Sequence, residues 1–313
     1  MLTPPLDDDD RALFDKVRDA SDTPLVTDVD LATAALYQQI RTSAEHGPFI
    51  EQVEKGDAPR WGDEPPQIVV MPGAFHVEHP HTGADGRRVL ELAARLGWPA
   101  HRVPVPSLAP MAHNAAALVQ FFANRPRRPT ILVSLSKGGA DVRTAMQRPD
   151  AAIALRDVRA WVNLSGMVTG TPLVAWLRDR PLRCLGVRLL LRLRGQRFAH
   201  IEELSCGERA PLRQPFTVPP HVRTIHVIGF PRVRHLSNDW ARRGHARLAP
   251  LGPNDGGGIL LRDVTTWPGH ICPVWSADHY LRHSFDVDAL LLSILREAAR
   301  PQTETVAAPS DLA

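Results

Sequence analysis

Ser136 is the residue on which chemistry could turn. It stands in "ILVSLSKGGADVRTAM", residues 131–146, where an apolar run ends in a Ser, a Lys and two glycines and a helix-like run follows. A serine at the tip of a sharp strand-to-helix turn can act as a nucleophile. Such a turn demands small residues two before and two after it, because larger side chains would collide with neighbouring backbone. Ser134 and Gly138 hold those places, giving S-x-S-x-G, and Gly139 lets the following helix pack close to the sheet. Two other readings compete. Ser136 could simply cap the helix, or "SLSK" could be S-x-x-K, with Ser134 as nucleophile and Lys137 as base. That second motif opens a helix and works with K-T-G or S-D-N partners; here Ser134 sits in an apolar strand and neither partner occurs in the chain.

A nucleophilic serine needs a base and an acid, which follow it in the order Ser, acid, His when the turn is of this type. His279 in "SADHYLRH" is the preferred base, because it stands beyond the last expected strand and before the last helix; His270 in "WPGHICP" and His283 are its rivals. For the acid, "LAPLGPNDGGGILL" places Asp255 in an Asn-Asp-Gly turn, from which a carboxylate can reach the imidazole Nδ1 and fix its tautomer. Asp239 is the alternative, and Asp255 could also be an ordinary turn residue.

The tetrahedral oxyanion of acyl transfer needs two backbone donors. The N–H of Lys137, directly after the nucleophile, is one. The other is expected from the loop "VVMPGAFHVEHPHTG", where Gly73 permits close approach and Ala74, in preference to Phe75, points its N–H inward. His76, His79 and His81 in the same loop invite a metal reading, but no HExxH or HxHxDH pattern accompanies them and Pro80 disfavours a shared helical face. Contact with substrate or with solvent is the expectation, with no metal and no cofactor.

These residues require a scaffold of alternating strands and helices, since parallel strands need a crossover between them. Strands are expected at 67–73, 101–107, 130–136, 158–166 and 222–230, and a last one in "ILLRDVTTWPG", 259–269. Helices are expected at 83–97, 111–125, 139–148 and 286–300. Two further helices, "DDRALFDKVRDA" and "DVDLATAALYQQIRTSAE", precede the first strand, the second capped by Asp28 or Asp30. The rhythm breaks between 167 and 221, a gap too long for a plain loop. Its run "PLVAWLRDRPLRCLGVRLLLRLRGQRF" sets Arg178, Arg180, Arg183, Arg188, Arg192, Arg194 and Arg197 against Asp179. It reads as a helical cap or lid; the alternative is the solvated face of ordinary amphipathic helices. The organisation expected is a helical extension over 1–60, a core domain over 61–300 containing the insertion, and a loose tail over 301–313.

The 313 residues, 43% hydrophobic and 23% charged, suffice for one large core. A net charge of +3 argues against a nucleic-acid binder. Three widely spaced cysteines form no CxxC pair, and the acidic "MLTPPLDDDDRALFDKV" is unlike a signal peptide. No stretch reaches the roughly 18 apolar residues of a spanning helix. A soluble, cytoplasmic protein is expected.

In this order, "SLSKGG", "MPGAF", "GPNDGG" and "ADHYL" resemble the α/β-hydrolase superfamily, its lipase and esterase branch above all. The resemblance covers about residues 65–300. It implies an α/β fold with a mostly parallel central sheet flanked by helices, and maps the nucleophile onto Ser136, the base onto His279 and the acid onto Asp255, whose Asn-Asp-Gly element is similar to the one that carries the acid in several bacterial lipases. The chain departs from the pattern at Ser134, where a Gly is usual, at Lys137, and in lacking a secretion signal. The activity implied is hydrolysis of a carboxylic ester through an acyl-enzyme. Alternatives are a thioesterase acting on acyl thioesters, a non-catalytic binding protein of the same fold, and a membrane-surface adaptor. The arginines of the insertion are expected near an anionic head group or membrane surface.

Overall fold

Short apolar runs that carry no polar alternation make strands buried on both faces, and such strands build the centre of this protein. The computed structural model describes residues 6–19, 28–56, 64–282 and 287–301. Helices α1 (Asp8–Asp19), α2 (Val29–Thr42) and α3 (Gly47–Lys55) precede strand β1 (Gln67–Met71), and α4 (Arg87–Arg95), β2 (Ala100–Arg102), α5 (Met111–Ala123) and β3 (Thr130–Leu135) follow it. Next come α6 (Lys137–Met146), α7 (Ala151–Ala154) and β4 (Val158–Leu164), then the insertion with α8 (Leu173–Arg178), α9 (Pro181–Leu193) and α10 (Ala199–Glu202). Strand β5 (Arg223–Phe230), α11 (Asp239–Leu248), α12 (Leu261–Val264), β6 (His270–Trp275) and α13 (Val287–Ala298) complete the order.

Among the described residues the sheet has six strands in the order β2-β1-β3-β4-β5-β6, and every pair is parallel. After β1 the chain runs outward to β2 and then returns to the other side of β1 as β3. The loops leaving the carboxyl ends of β1 and β3 therefore diverge, and they leave a crevice where such sheets bind ligands. Ser136 directly follows β3, and the Gly73–Ala74 loop follows β1.

The expected strand over 259–269 is not in the sheet. Its apolar residues Ile259, Leu260 and Leu261 are buried, but the Leu261 N–H donates to Pro253 O and Leu260 bridges to Asn254, folding the stretch back on the Asp255 loop and into α12. The last strand is "HICPVW" instead. Pro273 argues against it, yet among the described residues β6 is an edge strand paired with β5 alone, where a missing N–H costs no ladder bond. Strand β2 is three residues long, not the seven expected at 101–107, since Pro104 and Pro106 lie just beyond it. Asp28 caps α2 by accepting from the N–H groups of Asp30 and Leu31. Helix α3 is not among the expected elements; Pro48 opens it and Gly56 closes it with a left-handed φ of 67°. The tail expected over 301–313 lies, after Pro301, outside the described residues.

Helices α1 to α3 share the core of the sheet. Phe14, Tyr37, Phe230 and Trp275 form one aromatic group, with Phe14 and Trp275 ring centroids 4.7 Å apart and Tyr37 and Trp275 5.1 Å apart. The acidic block at the start of α1 closes it. Asp10 accepts from Trp275 Nε1 at 3.0 Å, from Arg232 Nη1 at 2.7 Å and from Arg234 Nη2 at 2.7 Å, and Asp7 and Asp9 also pair with Arg234. Burial pushes the Asp10 carboxyl up, but the indole N–H and the two guanidiniums outweigh it and hold the group below its ordinary value. Its contribution is therefore full above about pH 4 and is lost as pH falls through the lowered folded value. Asp10→Ala leaves the buried Trp275 indole N–H without its acceptor and Arg232 with Asp30 alone at 3.3 Å; it is expected to cost about 1–3 kcal/mol in urea denaturation, and the difference from the parent should shrink in acid. A difference that stays constant down to about pH 2 would contradict this.

Candidate active site

The turn after β3 is as sharp as the small residues around it allow. Ser136 has φ 49° and ψ −120°, a conformation that costs a non-glycine residue about 1–3 kcal/mol and is held by its surroundings. Gly138 is obligatory there, because a Cβ would stand 2.5 Å from Met71 O and 2.7 Å from Pro72 O. The strain carries the hydroxyl to the C-terminal edge of the sheet.

There the structure brings three of the expected residues together. His279 Nε2 lies 2.9 Å from Ser136 Oγ, and His279 Nδ1 lies 2.5 Å from Asp255 Oδ2. A carboxylate only accepts, so Nδ1 carries the proton and Nε2 is left as the acceptor for the serine hydroxyl. Asp255 is fully buried, and its Oδ1 accepts from the N–H groups of Gly257, Gly258 and Ile259 at 2.9, 2.9 and 3.0 Å. Burial raises the Asp255 carboxyl, but the facing imidazole and these backbone donors outweigh it and keep the group below its ordinary value. Gly257 has no alternative either: a Cβ on it would lie 2.1 Å from the His279 ring.

The rivals lie elsewhere. His270 begins β6, at the opposite edge of a parallel sheet from Ser136, and stacks on Phe49 with centroids 4.6 Å apart and planes 11° from parallel. Asp239 is exposed at the start of α11 and faces Arg243 at 4.0 Å. His283 lies outside the described residues.

Ser134 is more than a small residue. It is fully buried, its hydroxyl accepts from Trp161 Nε1 at 2.8 Å and donates to Asn163 Oδ1 at 2.8 Å, and Asn163 Nδ2 reaches His226 Nδ1 at 3.0 Å. Burial pushes His226 down to about 4, so it stays neutral as this network requires. A glycine at 134 would orphan the indole N–H.

Lys137 belongs to a second buried network, not to Ser134. Its Nζ meets Asp141 Oδ1 at 2.5 Å with both side chains sealed from solvent, and Asp141 Oδ2 accepts from Asn114 Nδ2 at 2.8 Å. Burial raises the Asp141 carboxyl in spite of the lysine. Lys137→Met leaves that carboxylate unpaired and should cost about 3–5 kcal/mol near neutral pH. Because a raised folded value destabilises the charged state, the loss should be smallest near pH 4 and grow as pH rises. Urea titrations at about pH 4 and pH 7.5 check this, and Lys137→Met with Asp141→Leu should recover most of it.

The N–H groups of Lys137 and Ala74 meet no acceptor among the described residues, whereas the Phe75 N–H is spent on Ser107 O at 3.0 Å. Gly73 packs against Ser136: a Cβ on it would be 3.2 Å from Ser136 Cβ. His76 is buried, and its Nδ1 donates to Gly73 O at 2.9 Å. In a trans peptide the carbonyl and the next N–H point opposite ways, so this bond turns the Ala74 N–H away from His76. Plain solvent exposure does not describe that histidine. Burial holds its imidazole below the ordinary value, and His79 and His81 stack edge to face on each other at 5.8 Å. Among the described residues no group of three or more His, Cys, Asp and Glu side chains is placed to hold a metal ion.

The insertion leans over the same loop. Cys184 and Leu191 of α9, with Phe198 just before α10, form a small apolar cluster with Leu108, and Ala74 and Phe75 pack against it. Gln196 adds a hydrogen bond to Glu78 at 2.7 Å. No helix among the described residues is long and apolar enough to cross a membrane.

A parallel sheet of this order, a strained serine after its third strand, and a His and an Asp delivered to the same edge define the α/β-hydrolase fold, and this chain has it. The chain is similar to a metagenomic carboxyl esterase, at 20% identity over 91% of this chain and 98% of that one, with a TM-score of 0.50. It is also similar to the mature form of a Bacillus licheniformis lipase, at 20% identity over 77% of this chain and 94% of that one, with a TM-score of 0.52. No family model matches the sequence, and no curated protein matches it.

Proposed function

We propose that the chain is a serine hydrolase that cleaves carboxylic esters through an acyl-enzyme. The observation that carries the reading is the unbroken path from Asp255 through His279 to Ser136, at 2.5 and 2.9 Å, ending on a strained and positioned hydroxyl. Ser136 Oγ attacks the ester carbonyl as His279 Nε2 takes its proton, and Asp255 stabilises the imidazolium. The oxyanion that forms is held by the N–H groups of Lys137 and Ala74. As the tetrahedral species collapses, His279 gives the proton to the departing alcohol. Water then enters, His279 takes its proton, and the acid is released with Ser136 restored.

The apolar cluster where α9 and the Phe198 segment meet Ala74 and Phe75 favours an apolar acyl group. The likeness in fold to a carboxyl esterase and a lipase supports ester chemistry. The test is a panel of p-nitrophenyl esters of two to twelve carbons beside acyl thioesters of the same lengths, with labelling by a fluorophosphonate. Turnover of esters and labelling of the parent chain are expected. A chain that hydrolyses nothing on the panel and takes no label would leave only the non-catalytic reading.

A further inference from the structure

A cleft of about 1250 Å³ opens between the insertion and α11, lined by none of Ser136, His279 and Asp255, and its charges are unbalanced. Arg180 and Arg183 enter it from the insertion and Arg243 and Arg247 from α11; Asp179 is the acid that lines it. In place of carboxylates, the arginines share an indole. The guanidinium carbons of Arg180, Arg247 and Arg183 lie 4.2, 4.5 and 5.4 Å from the centroid of the Trp176 ring. The π face attracts the cations but accepts few of their hydrogen bonds. Among the described residues Arg180, Arg183 and Arg247 form no ion pair; Arg180 donates to Trp176 O, and Arg243 reaches Asp239 at 4.0 Å. Arg243 Nε also donates to Asp239 O at 3.0 Å, so the planar N–H donors left unspent among the described residues are chiefly those of Arg183 and Arg247. Burial, then the facing Arg183, Arg243 and Arg180, hold Arg247 below its ordinary value, as befits like charges that lack their counterion.

We propose that this cleft binds a multiply charged phosphate group, recognised by Arg183 and Arg247 from either side with Arg180 and Arg243 beside them. Guanidinium forks match phosphate oxygens two by two, and Trp176 orders the forks before the anion arrives. Leu173, Val187 and Leu251 line the same cleft and cover the apolar part of the ligand. The phosphate comes either from a soluble phosphate ester or from a phospholipid head group, the second being close at hand because Leu182, Leu185 and Leu189 of α9 are exposed.

Inorganic tripolyphosphate, titrated calorimetrically into the full chain at about 50 mM salt, tests the site. Saturable binding is expected, weakened at least tenfold in Arg183→Gln/Arg247→Gln and falling steeply with salt. The charge-matched control Arg192→Gln/Arg194→Gln, in the same insertion but outside the cleft, should bind within about twofold of the parent, and all three proteins should turn over a short ester alike. Vesicles of phosphatidic acid in phosphatidylcholine separate the sources: cosedimentation that tripolyphosphate reverses assigns the site to a head group, and its absence beside tripolyphosphate binding assigns it to a soluble ester. No saturable binding, or equal loss in both double variants, would overturn the proposal.

Discussion

Ser136→Ala is expected to lower kcat on a short ester by about 10⁴–10⁶-fold, leaving KM within a fewfold and abolishing fluorophosphonate labelling. The expectation rests on what the other serines are doing. Ser165 and Ser276 share the positive φ of Ser136, at 44° and 59°, so backbone strain alone does not mark a nucleophile. Ser134 lies in the strand just before it, but its hydroxyl is spent between Trp161 and Asn163. Ser136 has the imidazole acceptor at 2.9 Å. The substitution keeps the Cβ that the turn is built around and removes a single oxygen, so thermal unfolding should change little. Labelling that survives in the variant would move the chemistry to another residue.

Much of this was legible because the elbow is a steric device. Ser134 and Gly138 had to be small wherever the rest of the chain went, and the Asn254–Asp255–Gly256 turn marked a carboxylate that could reach an imidazole; the three backbone donors that hold it became visible only in the fold. What escaped depended on neighbours distant in sequence. Pro273 reads as a strand breaker because nothing local says that β6 is an edge. The insertion's arginines are visible as a run, but Arg243 and Arg247, which complete the cleft with them, come from α11, well beyond the insertion in the chain. His76 could be read on paper as a solvent-exposed loop residue, and its burial against Gly73 O, which sets the orientation of the Ala74 peptide, depends on the fold of the whole loop. Lys137 is different: Lys137 and Asp141 are four apart at the start of a helix, the spacing that pairs opposite charges, and that signal was present in "KGGAD". What the sequence lacked was the burial that makes the pair costly to break.

Asp255→Asn should reduce kcat by about 10⁴-fold while the protein stays folded, and the geometry gives the reason. One carboxylate oxygen accepts three backbone N–H groups, from Gly257, Gly258 and Ile259, and the other faces His279 Nδ1. An asparagine must satisfy the three donors with its carbonyl oxygen, since turning its NH₂ toward them would set donor against donors in a site sealed from water. The NH₂ then points at Nδ1, which can only answer as an acceptor. The proton moves to Nε2, and the imidazole loses the lone pair that would take the proton of Ser136. The same oxygen count explains why acid should not act through this residue in the parent chain. With its carboxyl held below the ordinary value, Asp255 stays charged through the range in which the ester is assayed, and the pH profile should show no step from it between about pH 5 and 9. Steady-state rates and the rate of fluorophosphonate labelling measure both effects. An Asp255→Asn variant within tenfold of the parent would mean that Asp255 holds its loop and does not set the tautomer of His279.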